Sequence, residues 1–360
     1  MKKPEHGGDV WRYGKAYEIL DFSSNGNPLG PPVLLKDALK EALERDIYCF
    51  YPDPTYLELK QAISKYLSVA EDKIGVFNGA IEALYLLFRV LNGKKVLLTP
   101  PSFTEFWYVA NMENLPIEEV PLIEDHDCFK LNEQRLLEHL GGKDLIAILC
   151  NPNNPTGTLI RKNLIEEAVG MIRDGFLVVD ESFMEFSHEN HSSINLIEDH
   201  PNLIIVKSLT KIFSASGLRL GVVIASSDIV HKFEALSPTW RVNSLTAFAF
   251  SKLLRKTDAV REYLMNSRRF IDLERRRMIK KLRKIGLRPY NSSVNFILVN
   301  LCERANSREL KEVLVRQYNM LIRDASTFKG LSENYIRIGL KRPEQNDMLI
   351  KALNEVLNPC

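Results

Sequence analysis

Ser208-Leu-Thr-Lys-Ile-Phe-Ser-Ala-Ser-Gly-Leu-Arg-Leu-Gly221 is the stretch from which the rest of the chain is read. The apolar run Leu203–Val206 precedes it and predicts a buried strand, and Leu220–Ala225 predicts another after it. Between them Lys211 stands among hydroxyls and small residues, with Arg219 shortly after. A lysine that works as an amine nucleophile needs surroundings that lower its pKa. A phosphate needs a fixed cation and hydroxyl donors. This segment carries both sets of groups. Taken alone, the same residues also suit a surface loop with a solvated lysine and arginine.

Outward from this stretch, strands and helices alternate. Strands are expected at Ile74–Phe77, Lys95–Thr99, Leu145–Cys150 and Phe176–Asp180, and helices at 80–91, near 103–112 and at 162–173. Such alternation implies crossover connections and a mostly parallel sheet covered on both faces, an α/β fold. Ligands of such sheets lie at the strands' carboxyl ends. Asn78-Gly-Ala-Ile81, Phe103, Asn151-Pro-Asn-Asn-Pro-Thr-Gly157, Asp180 and Lys211 all fall there.

Upstream, residues 1–33 are rich in Gly, Pro and Asn and predict an irregular arm, laid over a site or frayed. Amphipathic helices are expected at 34–45 and 55–67, with an aromatic turn, Tyr48–Pro54, between them. Downstream of Trp240-Arg-Val-Asn243, one long helical region, about 244–284, carries Arg268, Arg269, Arg275, Arg276 and Arg277, read as a solvated basic face. Strands at Val294–Asn300, Met320–Arg323 and Tyr335–Gly339, with helices at 307–317 and 344–356, predict a separate small α/β layer. The expected organisation is an arm at 1–33, a large domain at 34–245 and a small domain at 246–360.

Composition narrows the function. Lys+Arg 48 against Asp+Glu 46 gives a formal charge of +2 without a basic tail, which argues against nucleic acid. Five scattered cysteines (Cys49, Cys128, Cys150, Cys302, Cys360) form no CxxC pair, which argues against a zinc site and suits a reducing cytoplasm. No apolar run is long enough to span a membrane.

The segment around Lys211 resembles the lysine-bearing segment of fold-type I pyridoxal-phosphate (PLP) enzymes. Gly79, Phe103, Asn154, Asp180, Ser208, Lys211 and Arg219, in this order, match the aminotransferase class I/II pattern over the whole chain. The resemblance implies a large domain with a mostly parallel sheet plus a small α/β domain, and a site for pyridoxal 5'-phosphate. In that site Lys211 bonds the cofactor. Gly79 and Ala80, at a helix start whose free N–H groups attract anions, would hold its phosphate with Ser208 and Arg219. Asn154 would bond the ring hydroxyl. Asp180 would pair with the ring nitrogen, although a strand-end Asp also commonly caps a loop. Phe103 would stack on the ring, or simply pack in the core.

Within that class the chain looks like the threonine-phosphate decarboxylase family, which supplies aminopropanol phosphate to cobamide assembly. The segments that carry this are His6-Gly-Gly, Asp21-Phe-Ser-Ser-Asn-Gly-Asn-Pro-Leu-Gly, Tyr51-Pro-Asp53, Pro101-Ser-Phe-Thr-Glu105, Asp180-Glu-Ser-Phe183, Leu321-Ile-Arg-Asp324, Tyr335-Ile-Arg337 and Gln345-Asn346. Histidinol-phosphate aminotransferases are the alternative. They usually carry Tyr where this chain has Phe183, and Phe cannot donate a hydrogen bond to the ring oxygen. The resemblance implies a phosphorylated amino acid as substrate, threonine phosphate or serine phosphate, with Arg337 on its carboxylate and Arg323, His6 and Asn25 on its phosphate. Tyr51 is similar to the tyrosine that reaches into the neighbouring subunit's site, which implies a homodimer with shared sites. Phe50 and Arg241 depart from the family pattern; Arg241 either alters the pocket or lies on the surface.

Overall fold

The computed structural model describes residues 3–14, 16–141, 144–187 and 191–358; Cys360 lies outside them. The N-terminal arm ends in a short strand, β1 (Leu20–Asp21), and leads into helices α1 (Val33–Glu44) and α2 (Leu57–Leu67). Each buries residues three and four apart (Leu35, Ala38, Ala42; Leu59, Ala62, Ile63), the stripe that a 3.6-residue period places on one face.

The alternating part follows. It runs β2 (Ile74–Asn78), α3 (Ala80–Leu91), β3 (Lys95–Leu98), α4 (Glu105–Met112) and β4 (Ile117–Glu119). A hairpin of β5 (Ile123–Asp125) and β6 (Cys128–Lys130) comes next, then α5 (Glu133–His139), β7 (Leu145–Cys150), α6 (Lys162–Met171) and β8 (Gly175–Asp180). β9 (Leu203–Ser208), α7 (Leu209–Ile212), β10 (Leu220–Ile224) and α8 (Ser227–Leu236) complete it. The seven-stranded sheet has the order β2-β10-β9-β8-β7-β3-β4. β7 shows why its strands read as unbroken apolar runs. Leu145, Ala147 and Leu149 join the core on one face, and Ile146, Ile148 and Cys150 the core on the other.

One strand runs against the rest. β10 is antiparallel to both β9 and β2. The connection from β9 holds only α7 and a turn of 3-10 helix, Ser216–Leu218, and returns without crossing the sheet, so the chain reverses. This puts the start of β10 at the same edge as the carboxyl ends of its neighbours, and Arg219 therefore joins Lys211 there.

The predicted helix at 244–284 is two helices, α9 (Ser244–Leu254) and α10 (Thr257–Lys284). α9 packs against α1 and α2. The basic residues of α10 are not all a solvated face. Arg268 Nε donates to Glu185 O (2.8 Å) and Arg275 to Val294 O (3.2 Å), while Arg269 and Arg276 are exposed. The helix packs against the 3-10 turn Met184–Phe186 and against the strands Arg288–Pro289 and Phe296–Asn300, so its inward arginines satisfy backbone carbonyls there.

The second sheet is antiparallel: β11 (Arg288–Pro289), β12 (Phe296–Asn300), β15 (Tyr335–Gly339) and β14 (Arg323–Asp324), with α11 (Ser307–Tyr318) and α12 (Pro343–Leu357) packed nearby. The strand expected at Met320–Arg323 divides at Ile322. Its first half, β13 (Met320–Leu321), pairs in parallel with β1, and only its second half pairs with β15. The arm is thereby ordered and stitched to this layer. Phe22 is fully buried, its N–H donates to Leu321 O (2.7 Å), and its carbonyl accepts from Gly339 N (2.7 Å). A Cβ on Gly339 would lie 2.4 Å from Ser24 O, so only glycine admits the arm this closely.

Arg241 proves to be neither a pocket residue nor a surface one. Its side chain is buried, donates to Val76 O, pairs with Glu234 (2.9 Å) and lies over the rings of Tyr56 and Phe77. Among the described residues no helix is long and apolar enough to cross a membrane.

Candidate active site

At the shared carboxyl edge of the first sheet, under the arm and beside the second sheet, lies a cavity of about 410 Å³. Its lining includes His6, Asn25, Gly79, Ala80, Phe103, Asn154, Asp180, Ser208, Lys211, Arg219, Arg323 and Arg337. Every site residue expected from sequence is there except Tyr51. Tyr51 is 77% exposed and stacks on Trp240, with centroids 4.2 Å apart, outside its own chain's cavity.

Lys211 sits in the single turn of α7 that follows β9. Burial, and then the charges of Arg337 and Arg219, lower its pKa to about 8. It is thus an amine that loses its proton more readily than a surface lysine.

At one end of the cavity, Gly79 adopts a positive φ of 78° just before α3. A Cβ there would stand 2.4 Å from an Arg219 guanidinium nitrogen. Glycine therefore lets Arg219 approach the N–H groups that open α3, and that combination attracts a phosphate. The Ser208 and Thr210 hydroxyls, 2.8 Å apart, face the same cavity.

Asp180 ends β8 and is buried. Burial raises its pKa, offset by hydrogen bonds from Ser182 and by the charge of Lys207. A carboxylate held this way gains from a cationic partner. Asn154 Oδ1 accepts a hydrogen bond from Arg337, which leaves its Nδ2 as the donor. Phe183, which has no hydroxyl to donate, packs edge-on against Phe296 at 5.1 Å.

On the second sheet, Arg323 and Arg337 are directly opposed residues of β14 and β15, so their side chains share one face. Both are buried. Arg323 donates to Glu5 O and to Thr327 Oγ1, each at 2.6 Å. Arg337 donates to Ser23 O (2.7 Å), yet its buried Nε has no partner. Burial, then the charge of Arg323, lowers the Arg337 pKa to about 9. Asn25 Oδ1 is also buried without a partner. The unpartnered Arg337 donor is the condition of an anion site, whereas Asn25 Oδ1, an acceptor, calls for a donor.

These features fit pyridoxal phosphate. There is a phosphate cradle, a buried carboxylate for a ring nitrogen, an amide donor for a ring hydroxyl and an amine of lowered pKa. Sequence reading assigned no role to Glu105, Thr210 or Phe328, which also line the cavity. Glu105 and Thr210 belong to quoted motifs, Pro101–Glu105 and Ser208–Lys211, so proximity was the available signal.

The sequence model described as Aminotransferase class I and II matches residues 17–353. The chain is 33% identical over 365 residues to an adenosylcobalamin biosynthesis bifunctional protein, CobDQ, of Leptospira interrogans, which takes in 99% of this chain but 41% of that protein. The chain thus spans about two fifths of that relative's length. Among solved structures, the L-threonine-O-3-phosphate decarboxylase of Porphyromonas gingivalis is similar at 30% identity and a TM-score of 0.83, covering 94% of this chain and 99% of that one. The histidinol-phosphate aminotransferase of Clostridium acetobutylicum is similar at 28% identity and a TM-score of 0.85, covering 95% of this chain and 100% of that one.

Proposed function

Because this chain belongs to the aminotransferase class I and II family, we propose that it uses pyridoxal 5'-phosphate to decarboxylate L-threonine O-3-phosphate to CO2 and the aminoalkyl phosphate. The observation that carries this reading is the cross-strand pair Arg323–Arg337. Two buried cations facing one another repel and cost stability. A ligand with two anionic groups relieves both at once. Threonine phosphate has a carboxylate and a phosphate in one molecule; histidinol phosphate has only the phosphate, so the alternative would engage Arg337 only through its second substrate, 2-oxoglutarate.

When bound, the cofactor supplies a reactive carbonyl and a pyridinium that draws electrons from the substrate's α-carbon. The chain's own residues do the rest. Gly79, Ala80, Ser208, Thr210 and Arg219 would hold the cofactor phosphate, and Phe103 would pack on its ring. Asp180 would provide the negative charge that keeps a ring nitrogen protonated, and Asn154 Nδ2 would donate to the ring oxygen without help from Phe183. Arg337 grips the substrate carboxylate and sets its angle, which decides whether Cα–COO⁻ or Cα–H is the bond broken. Arg323, Asn25 and His6 hold the phosphate. After CO2 leaves, the Lys211 ammonium returns a proton to Cα.

The same reading extends to a homodimer in which exposed Tyr51 serves the partner's cavity, and to the division into arm, large domain and small domain at residues 33 and 245. Four free cysteines, Cys49, Cys128, Cys150 and Cys302, are in keeping with a reducing cytoplasm. The testing experiment incubates purified, cofactor-loaded protein with threonine phosphate, and separately with histidinol phosphate plus 2-oxoglutarate. CO2 and aminopropanol phosphate support the reading; glutamate formation without CO2 replaces it with an aminotransferase.

A further inference from the structure

One carboxylate of the cavity has no part in the proposed reaction. Glu105 opens α4, and its side chain is 6% exposed. Its Oε1 lies 2.5 Å from His6 Nε2 and its Oε2 accepts from the Tyr85 hydroxyl at 3.2 Å. Burial, then Glu105, pushes the Tyr85 phenol up to about 12, so this hydroxyl keeps its proton and donates. A carboxylate only accepts, so Nε2 of His6 carries its hydrogen toward Glu105. Nδ1 is then the ring nitrogen left for another partner. The His6 ring also leans on Phe103, with centroids 5.6 Å apart.

The neighbouring arm residues are tied by their backbone: Glu5 O accepts from Arg323 (2.6 Å) and Gly8 N donates to Ser23 Oγ (2.8 Å). These bonds hold the strand of chain but do not orient the imidazole. Glu105 does. It comes from a different element, beside the expected cofactor-stacking residue, and it is buried. A buried carboxylate in a cavity for anions weakens ligand binding unless its charge is taken up by a specific partner.

We propose that Glu105 is a positioning residue that acts through His6. It fixes the ring by Nε2–H and thereby aims Nδ1 at the substrate phosphate, which Nδ1 meets as an N–H donor when the ring, lying between two anions, carries a hydrogen on both nitrogens. The proposal rests on the reading that His6 meets that phosphate.

The test is a double-mutant cycle on the cofactor-loaded protein: Glu105→Ala, His6→Ala and both together. Each single change is expected to raise KM for threonine phosphate about ten- to a hundredfold, the effect of one hydrogen bond to a charged group, with kcat within about threefold. The double variant is expected to be no worse than His6→Ala, because the lost interaction is shared. Glu105→Gln keeps an acceptor oxygen for Nε2–H and is expected to recover most of the loss. Hydrogen exchange gives a readout free of turnover: threonine phosphate should slow exchange in residues 3–14 of the wild type and fail to do so in Glu105→Ala. Additive single effects, an unchanged KM in Glu105→Ala, or equal protection of the arm in that variant would overturn the proposal. If the wild type releases no CO2 from threonine phosphate but transaminates histidinol phosphate, the functional reading falls on its own. The cycle is then read with histidinol phosphate, whose phosphate group is the same, and additivity there overturns the role of Glu105.

Discussion

Replacing Arg323 by Leu separates affinity from stability. The guanidinium makes two hydrogen bonds, to Glu5 O and Thr327 Oγ1, both at 2.6 Å. Their loss costs about 1.5–3 kcal/mol each in a buried setting. Against this, the change removes a buried charge directly opposite Arg337, whose burial outweighs the attraction of Asp324 and Glu5, and relief of that burial and repulsion is of the same order, several kcal/mol. The apoprotein should therefore lose little stability. Ligand binding has no such offset. A charge-assisted contact to phosphate in a partly dry cavity is worth on the order of 2–4 kcal/mol, or roughly thirty- to a thousandfold in KM for threonine phosphate. Unphosphorylated threonine should be affected far less, so the preference for the phosphorylated form collapses. The assay is steady-state kinetics with both ligands, paired with thermal melting of the apoprotein. An equal rise in KM for threonine and threonine phosphate would refute the assignment of Arg323 to the phosphate.

Lys211→Ala should abolish turnover and leave no cofactor that borohydride can fix to the protein, read by mass spectrometry; fixation at the usual level would remove Lys211 from its role. Amine acylation of Lys211 in the apoprotein, mapped by peptide mass, should rise with pH around a midpoint of about 8, since burial and two arginines favour the neutral amine; a midpoint like that of the exposed lysines would contradict this. Asp180→Asn should slow catalysis by orders of magnitude while raising the apoprotein's melting temperature at neutral pH. Burial raises the Asp180 pKa, so the folded protein binds this proton more tightly than the unfolded chain, and the group's cost grows as pH climbs from the unfolded value through the folded one. Asn removes that cost, and a mutant that melts lower than wild type at pH 7 but equal to it in acid would refute the sign.

Much of this site was legible in the chain because strand ends are. Runs such as Leu145–Cys150 are apolar throughout, being covered on both faces, and the residue after such a run falls at the ligand edge. Asp180, Asn154 and Lys211 follow from that rule and the family pattern together. The reversal of β10 was not legible, since a strand's direction leaves no mark on its composition. Nor was the division of 320–324, where the same apolar run serves two sheets and the decisive partner, Leu20–Asp21, is three hundred residues away in sequence. The direct opposition of Arg323 and Arg337 depends on that division. The burial of Arg241, left open between pocket and surface, and of Glu105, which was given no role, was not legible, because what encloses each of them comes from elsewhere in the chain.

The most direct test of the central claim is the fate of the substrate carboxylate. Threonine phosphate labelled with ¹³C at C1 is incubated with the cofactor-loaded protein, with and without 2-oxoglutarate. The account predicts labelled CO2 and aminopropanol phosphate in equal amounts, independent of 2-oxoglutarate. Label retained in a 2-oxo acid, formed only when 2-oxoglutarate is present, would contradict it.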